Sequence, residues 1–176
     1  MPGGRIEVVV ESVRVHMLSN QHVVILKEVG GDRYLPIWIG PWEANAIAMR
    51  LQGVSPERPL THDLFVSVLR DLGASVRGVL IVDLAEETFL ARILLEAPGG
   101  TREIDARPSD AIALAVRVGA PVYAAEAVMD RAGVRADGVD GVDGVDEEKL
   151  SVFRDFVNSL DADAEDERRS GRPPAP

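Results

Sequence analysis

The chain has 176 residues, 46% of them hydrophobic, with no cysteine and a formal net charge of −10. That length suits one core-forming domain plus an appendage, and the absence of cysteine excludes disulfides, thiolate nucleophiles and cysteine-ligated metal centres. Residues 1–132 hold 13 Lys/Arg and 17 Asp/Glu, whereas residues 133–176 hold 6 and 12, so the domain is only mildly acidic; even so, its balance argues against a high-affinity nucleic-acid scaffold, which must neutralise phosphates.

The opening MPGGRIEVVVESVRVHM lacks the basic stretch and apolar segment of a secretory signal. No apolar run reaches the length of a membrane-spanning helix, so a cytoplasmic protein without membrane contact is expected. Arg5 to Val15 alternates as a strand does, with Ile6, Val8 and Val10 on one side. His22–Glu28 and Arg33–Ile39 follow as strands, joined through Gly30-Gly31-Asp32. Pro41 then opens a helix, with Glu43 near its positive end and Ala44, Ile47, Ala48 and Leu51 as its apolar stripe. A second helix starts at Thr61 as N-cap, with Leu60 and Phe65 as a staple and Leu64, Val68 and Leu72 as its apolar face.

Ser75–Leu84 and Thr88–Glu96 read as a hairpin through Ala85-Glu86-Glu87, and Thr101–Asp105 as a further strand. Pro108 opens a third helix, Ser109–Val118, whose run Ala111–Ala115 predicts burial on much of its surface. A short strand, Pro121–Ala124, and a short helix, Ala125–Arg131, complete the domain at 1–132. The repeated Gly-Val-Asp of 133–146 reads as a flexible linker, since it lacks the spacing of a calcium loop. Residues 147–160 form an amphipathic helical pattern through Leu150, Phe153, Val157 and Leu160; 161–176 reads as a disordered acidic, proline-rich tail. The expected fold is therefore a single α+β domain, a mixed or antiparallel β-sheet with a few packed helices.

Three blocks carry a resemblance: Leu35-Pro36-Ile37-Trp38-Ile39-Gly40 with Glu43-Ala44 and Ala46-Ile47-Ala48; Arg58-Pro59-Leu60-Thr61-His62-Asp63-Leu64; and Ile104-Asp105-Ala106-Arg107-Pro108-Ser109-Asp110-Ala111-Ile112-Ala113-Leu114-Ala115. In this order and spacing they resemble the bifunctional nuclease family over roughly residues 6 to 131. The resemblance implies an α+β domain, often self-associating, with a homodimer as the expected state. It further implies cleavage of RNA and DNA, bound weakly or transiently, although some family members are linked to regulation instead.

Phosphodiester hydrolysis needs an activated water, stabilised charge on the phosphate oxygens and a proton for the leaving oxygen. Carboxylate-held Mg²⁺ or Mn²⁺ can supply these, as can a histidine acid or base with an arginine clamp. The resembling blocks put polar groups at three helix starts, where free N–H groups favour anions. Glu43, His62, Asp63, Arg107 and Asp110 are the catalytic candidates; Glu43, Asp63 and Asp110 are the metal-ligand candidates; Arg58, Arg107 and Ser109 are the substrate-binding candidates. They form one site only if the three helix starts converge.

Each has a plainer reading. Glu43, Asp63 and Asp110 stand where acids simply stabilise helices, and His62 can be an exposed first-turn residue. Arg107 can pair with Asp105 or Asp110 to fix a corner, and Arg58 can be a loop charge. Ser109 has no neighbouring base, which argues against a covalent serine mechanism. His16 and His22 are too few for a zinc site. Trp38 and Trp42 suit base stacking, but core or interface packing is the expected role. The alternative to a nuclease is a non-catalytic regulatory or interaction protein.

Overall fold

The computed structural model describes residues 4–16, 20–135 and 155. The chain divides into two units, Met1–Gly133 and Val134–Pro176. In the second, only the strand Val134–Arg135 and Asp155, which is helical and exposed, are described. Apart from these positions and Gly133, the linker expected at 133–146, the helix at 147–160 and the tail at 161–176 lie outside the described residues.

The first unit is built on strands β1 (Arg5–His16), β2 (Gln21–Glu28), β3 (Arg33–Ile39), β4 (Ser75–Ala85), β5 (Thr88–Ala97), β6 (Gly100–Ala106) and β7 (Val122–Ala125). Its helices are α1 (Pro41–Leu51), α2 (Thr61–Asp71), α3 (Pro108–Val118) and α4 (Glu126–Ala132). The strands run in the order β6-β5-β4-β7-β1-β2-β3. Two antiparallel meanders, β1-β2-β3 and β4-β5-β6, are thus joined through β7, which is antiparallel to β1 and parallel to β4. This is the expected α+β fold with a mixed, mostly antiparallel sheet.

Val23–Leu26 of β2 and Gly78–Ile81 of β4 are buried without alternation. Successive strand residues face opposite ways, so both faces of the sheet are covered at these strands. The core gathers Val24, Leu26, Leu35, Ile37, Ile47, Ile81 and Ile112, all 2% exposed or less. Burying each such side chain stabilises the fold by about 1.5–3 kcal/mol. Helix α3 is the central helix, packing on α1, α2, β4 and β5. Its residues Ala111–Ala115 are all buried, as their apolar run predicts, and the small side chains of Ala111, Ala113 and Ala115 let neighbours approach closely. Gly119 ends the helix at φ 68°, a left-handed conformation that glycine adopts without steric cost.

Several local expectations are corrected. The β4–β5 turn is the two-residue pair Glu86-Glu87, both at positive φ, rather than three residues. Leu51 is exposed, and Ala46 takes a buried place in α1 instead. The N-cap of α2 is Leu60, not Thr61, because the Asp63 carboxylate accepts the Leu60 N–H at 2.9 Å and closes the helix start from inside. The face Leu64, Val68 and Leu72 is exposed, while Val66 and Leu69 pack on the core. The amphipathic pattern of α2 is real, but its more apolar side points to solvent.

Candidate active site

Three helices begin with an acid at their third position: Glu43 in α1, Asp63 in α2 and Asp110 in α3. An acid there faces the positive helix end and can reach back to the N-cap amide. Asp63 does so. Glu43 and Asp110 do not; their carboxylates turn to side chains of neighbouring segments.

Arg107, the N-cap residue of α3, lies between them. Its Nη2 donates to Glu43 Oε1 at 2.7 Å and its Nε to Asp110 Oδ2 at 2.8 Å. The other Asp110 oxygen, Oδ1, lies 3.0 Å from His62 Nε2. A continuous chain Glu43–Arg107–Asp110–His62 therefore links the starts of α1, α3 and α2. The three helix starts therefore converge. Of the two partners expected for Arg107, Asp110 is found and Asp105 is not, since Asp105 pairs with Arg92 across β5 and β6.

The network is graded in exposure. The side chains of His62 and Glu43 are 15% and 16% exposed, whereas that of Arg107 is 65% exposed. The carboxylates of Glu43 and then Asp110 hold the Arg107 guanidinium above its ordinary pKa, so it stays charged. Asp110 Oδ1 is an acceptor, so it takes the hydrogen of a neutral His62 on Nε2. That leaves the lone pair on Nδ1, the form a general base needs.

Asp63 belongs to a second cluster. Its Oδ1 accepts Arg117 Nε at 2.7 Å, and Arg117 also donates Nη1 to the Ala113 carbonyl at 2.9 Å. Burial pushes the Asp63 carboxyl up, but the Leu60 N–H, then Arg117, and the charge of His62 outweigh it and hold Asp63 below the ordinary carboxylate range. The Arg117 side chain is only 7% exposed. A cavity of about 360 Å³ opens beside this cluster, lined also by Arg50, Glu57, Leu60 and Ser67. None of Glu43, His62, Arg107 or Asp110 lines it, so this concavity and the four-residue network are neighbours rather than one place.

Ser109 is buried, 5% exposed, and Arg58 is exposed in the loop before α2. Trp38 is half-buried in β3, whereas Trp42 is 83% exposed, so it takes no part in the core of this chain. Among the described residues no three His, Asp or Glu side chains are grouped to hold a metal ion. Arg107 occupies the space between Glu43 and Asp110, and Asp63 is engaged with Arg117. The three carboxylates as arranged do not fit a shared divalent ion.

Two contributors escaped the sequence reading. Arg117, seven residues beyond Asp110, lies in the last turn of α3, outside the three resembling blocks. Gly40 allows Glu43 its position, since a Cβ there would collide with the Glu43 carboxylate. Only the Gly-Pro corner before Glu43 hinted at it.

A mixed sheet carrying three convergent helix starts, with an arginine clamped between carboxylates, makes this an α+β domain with one polar network at its helix starts. Residues 24–137 match the bifunctional nuclease domain, and the chain belongs to that family. It is similar to the uncharacterized protein Rv1829 of Mycobacterium tuberculosis, 44% identical over 160 residues that cover 89% of this chain and 96% of that protein. It is also similar to bifunctional nuclease 1 of Oryza sativa subsp. indica, 27% identical over 62% of this chain and 34% of that protein. Bifunctional nuclease 1 of Arabidopsis thaliana is 28% identical over 57% of this chain and 32% of its own length. The match to the plant proteins thus spans about a third of their length. No helix among the described residues is long and apolar enough to cross a membrane.

Proposed function

We propose that this protein is a nuclease that hydrolyses phosphodiester bonds of RNA, DNA or both, at the Glu43–Arg107–Asp110–His62 network. The observation that carries the reading is Asp110, which holds an imidazole on one oxygen and a guanidinium on the other. His62 Nδ1 takes a proton from the attacking water. Arg107 neutralises charge gathering on the non-bridging oxygens as the bond from phosphorus to the leaving oxygen breaks. The imidazolium then returns its proton to the leaving oxygen. Glu43 and Asp110 fix the guanidinium plane, which is a positioning role. Family membership supports the reaction class, as do the names of the plant relatives.

A divalent-ion route through Glu43, Asp63 and Asp110 requires Arg107 and Arg117 to release their carboxylates. Labelled single-stranded RNA and DNA, incubated with Mg²⁺, Mn²⁺ or EDTA, separates the routes. Hydrolysis that survives EDTA and is lost in Arg107→Ala supports the arginine route. Hydrolysis abolished by EDTA and restored by Mn²⁺ supports the ion.

One observation favours the regulatory reading: Arg107 is already neutralised by two internal carboxylates. Absence of hydrolysis in every condition, from folded protein, gives that reading the weight. Self-association is part of the nuclease proposal. Leu60, Leu64, Phe65, Val68 and Leu72 form an exposed apolar row along α2, and sedimentation of wild type against Leu64→Glu tests whether this row holds a homodimer.

A further inference from the structure

Trp42 is the most exposed large hydrophobic side chain among the described residues, at 83%. Helix α1 does not need it for packing, because that helix buries Ala44, Ala46 and Ile47 instead. Indole is the largest apolar side chain available, and leaving it in water forgoes burial that would otherwise stabilise the fold. Its location gives the exposure a meaning. Trp42 immediately precedes Glu43, whose carboxylate holds Arg107 Nη2 at 2.7 Å. A flat aromatic ring and a solvent-facing guanidinium therefore flank one helix start.

We propose that Trp42 is a nucleobase-stacking subsite, and that the ligand it selects is single-stranded nucleic acid. An unpaired base lies on the indole while a neighbouring phosphate meets Arg107. A duplex keeps its bases stacked on one another and offers the ring no free face. Stacking tolerates any base, because every base has a π-face. It also gives a mildly acidic domain a hold on nucleic acid that does not depend on net positive charge. This inference rests on the nuclease reading for the phosphate contact, and Trp42 then sets which strands are accepted.

The test uses the full chain in EDTA, titrated with short labelled single strands of RNA and of DNA and with a matched duplex, while tryptophan emission is recorded. Wild type binds single strands more tightly than duplex, and its emission is quenched. Trp42→Ala weakens single-strand binding roughly 5- to 150-fold and leaves the melting temperature in place. Trp42→Phe recovers most of the affinity, with the quench reduced to whatever Trp38 contributes. The two sugars assign the preferred strand, and Trp42 dependence with either supports the subsite. Equal affinity of wild type and Trp42→Ala overturns it, as does tighter duplex binding or no binding of single strands by wild type. Parallel hydrolysis assays keep the two readings apart. Trp42-dependent binding without cleavage leaves the subsite and removes the nuclease. Cleavage with Trp42-independent binding does the reverse.

Discussion

Asp63 and Asp110 occupy the same third position of adjacent helices, yet their carboxylates serve different partners. Asp63 closes its own helix start on the Leu60 N–H at 2.9 Å and holds the buried Arg117 at 2.7 Å. Asp110 bridges His62 at 3.0 Å and Arg107 at 2.8 Å. The first arrangement is a brace at one helix start, and the second joins an imidazole and a guanidinium between two helix starts.

Exchange of the two acids separates these roles. Asp110→Asn should lower hydrolysis at least ~100-fold, about 2.7 kcal/mol in barrier, with little change in melting temperature. Asp63→Asn should lower stability by about 1.5–3 kcal/mol, the worth of a hydrogen bond to a charged, poorly exposed partner. Thermal denaturation and single-turnover cleavage read the two effects. Equal loss of activity in both, with folding intact, would put Asp63 back into the chemistry.

The depressed pKa of Asp63 makes its contribution pH-dependent. Its unfolded value is about 3.9 and its folded value lies lower. Above the unfolded value both states are ionised and the stabilisation is complete. As pH falls below it, the unfolded chain takes up the proton first, and the stabilisation disappears as pH passes the folded value. The stability gap between wild type and Asp63→Asn, measured by urea denaturation, should be constant from about pH 5 to 8 and should close below about pH 4. A gap unchanged down to the acid limit of folding would contradict the depression.

Arg107 makes a fork of contacts to Glu43 and Asp110. Arg107→Lys should fail to restore the hydrolysis lost in Arg107→Ala, because one ammonium cannot replace the planar pair of contacts to Glu43 and Asp110. Since the side chain is 65% exposed, neither change should cost more than about 1 kcal/mol of stability. Full activity in the lysine variant would reduce Arg107 to a point charge.

Gly40 tests the positioning of Glu43. Its φ of −72° suits any residue, so Gly40→Ala carries no backbone penalty. The added methyl meets Oε2 at the end of the Glu43 side chain, whose displacement disturbs the Oε1 contact to Arg107. Hydrolysis should fall about 10-fold, on the order of 1.4 kcal/mol, at nearly unchanged melting temperature. A strongly destabilised variant would mean that the corner, rather than the carboxylate, had been disturbed.

Much of the fold is legible locally. Alternation in β1, the Pro41 and Pro108 helix starts and the apolar run of α3 each report backbone geometry through neighbouring residues, and those elements stand where the pattern puts them. The face of α2 is not legible in this way. Leu64, Val68 and Leu72 are spaced like a core stripe, but which side of an amphipathic helix is covered depends on what packs beside it. Trp42 shows the same: aromatic character argues for burial, and the helix turns it outward.

By itself, the sequence determined the α+β class, the family blocks and the three acids at helix starts, because strand alternation, proline placement and helix polarity are short-range effects. The tertiary structure decided which acids meet. Residues 43, 62, 107 and 110 are brought together by the packing of α1 and α2 against α3, and the choice of Arg107 for Glu43 and Asp110, and of Arg117 for Asp63, follows from side-chain distances across helices. Local pattern marks α3 for burial, but which side chains it brings together depends on the helices packed against it.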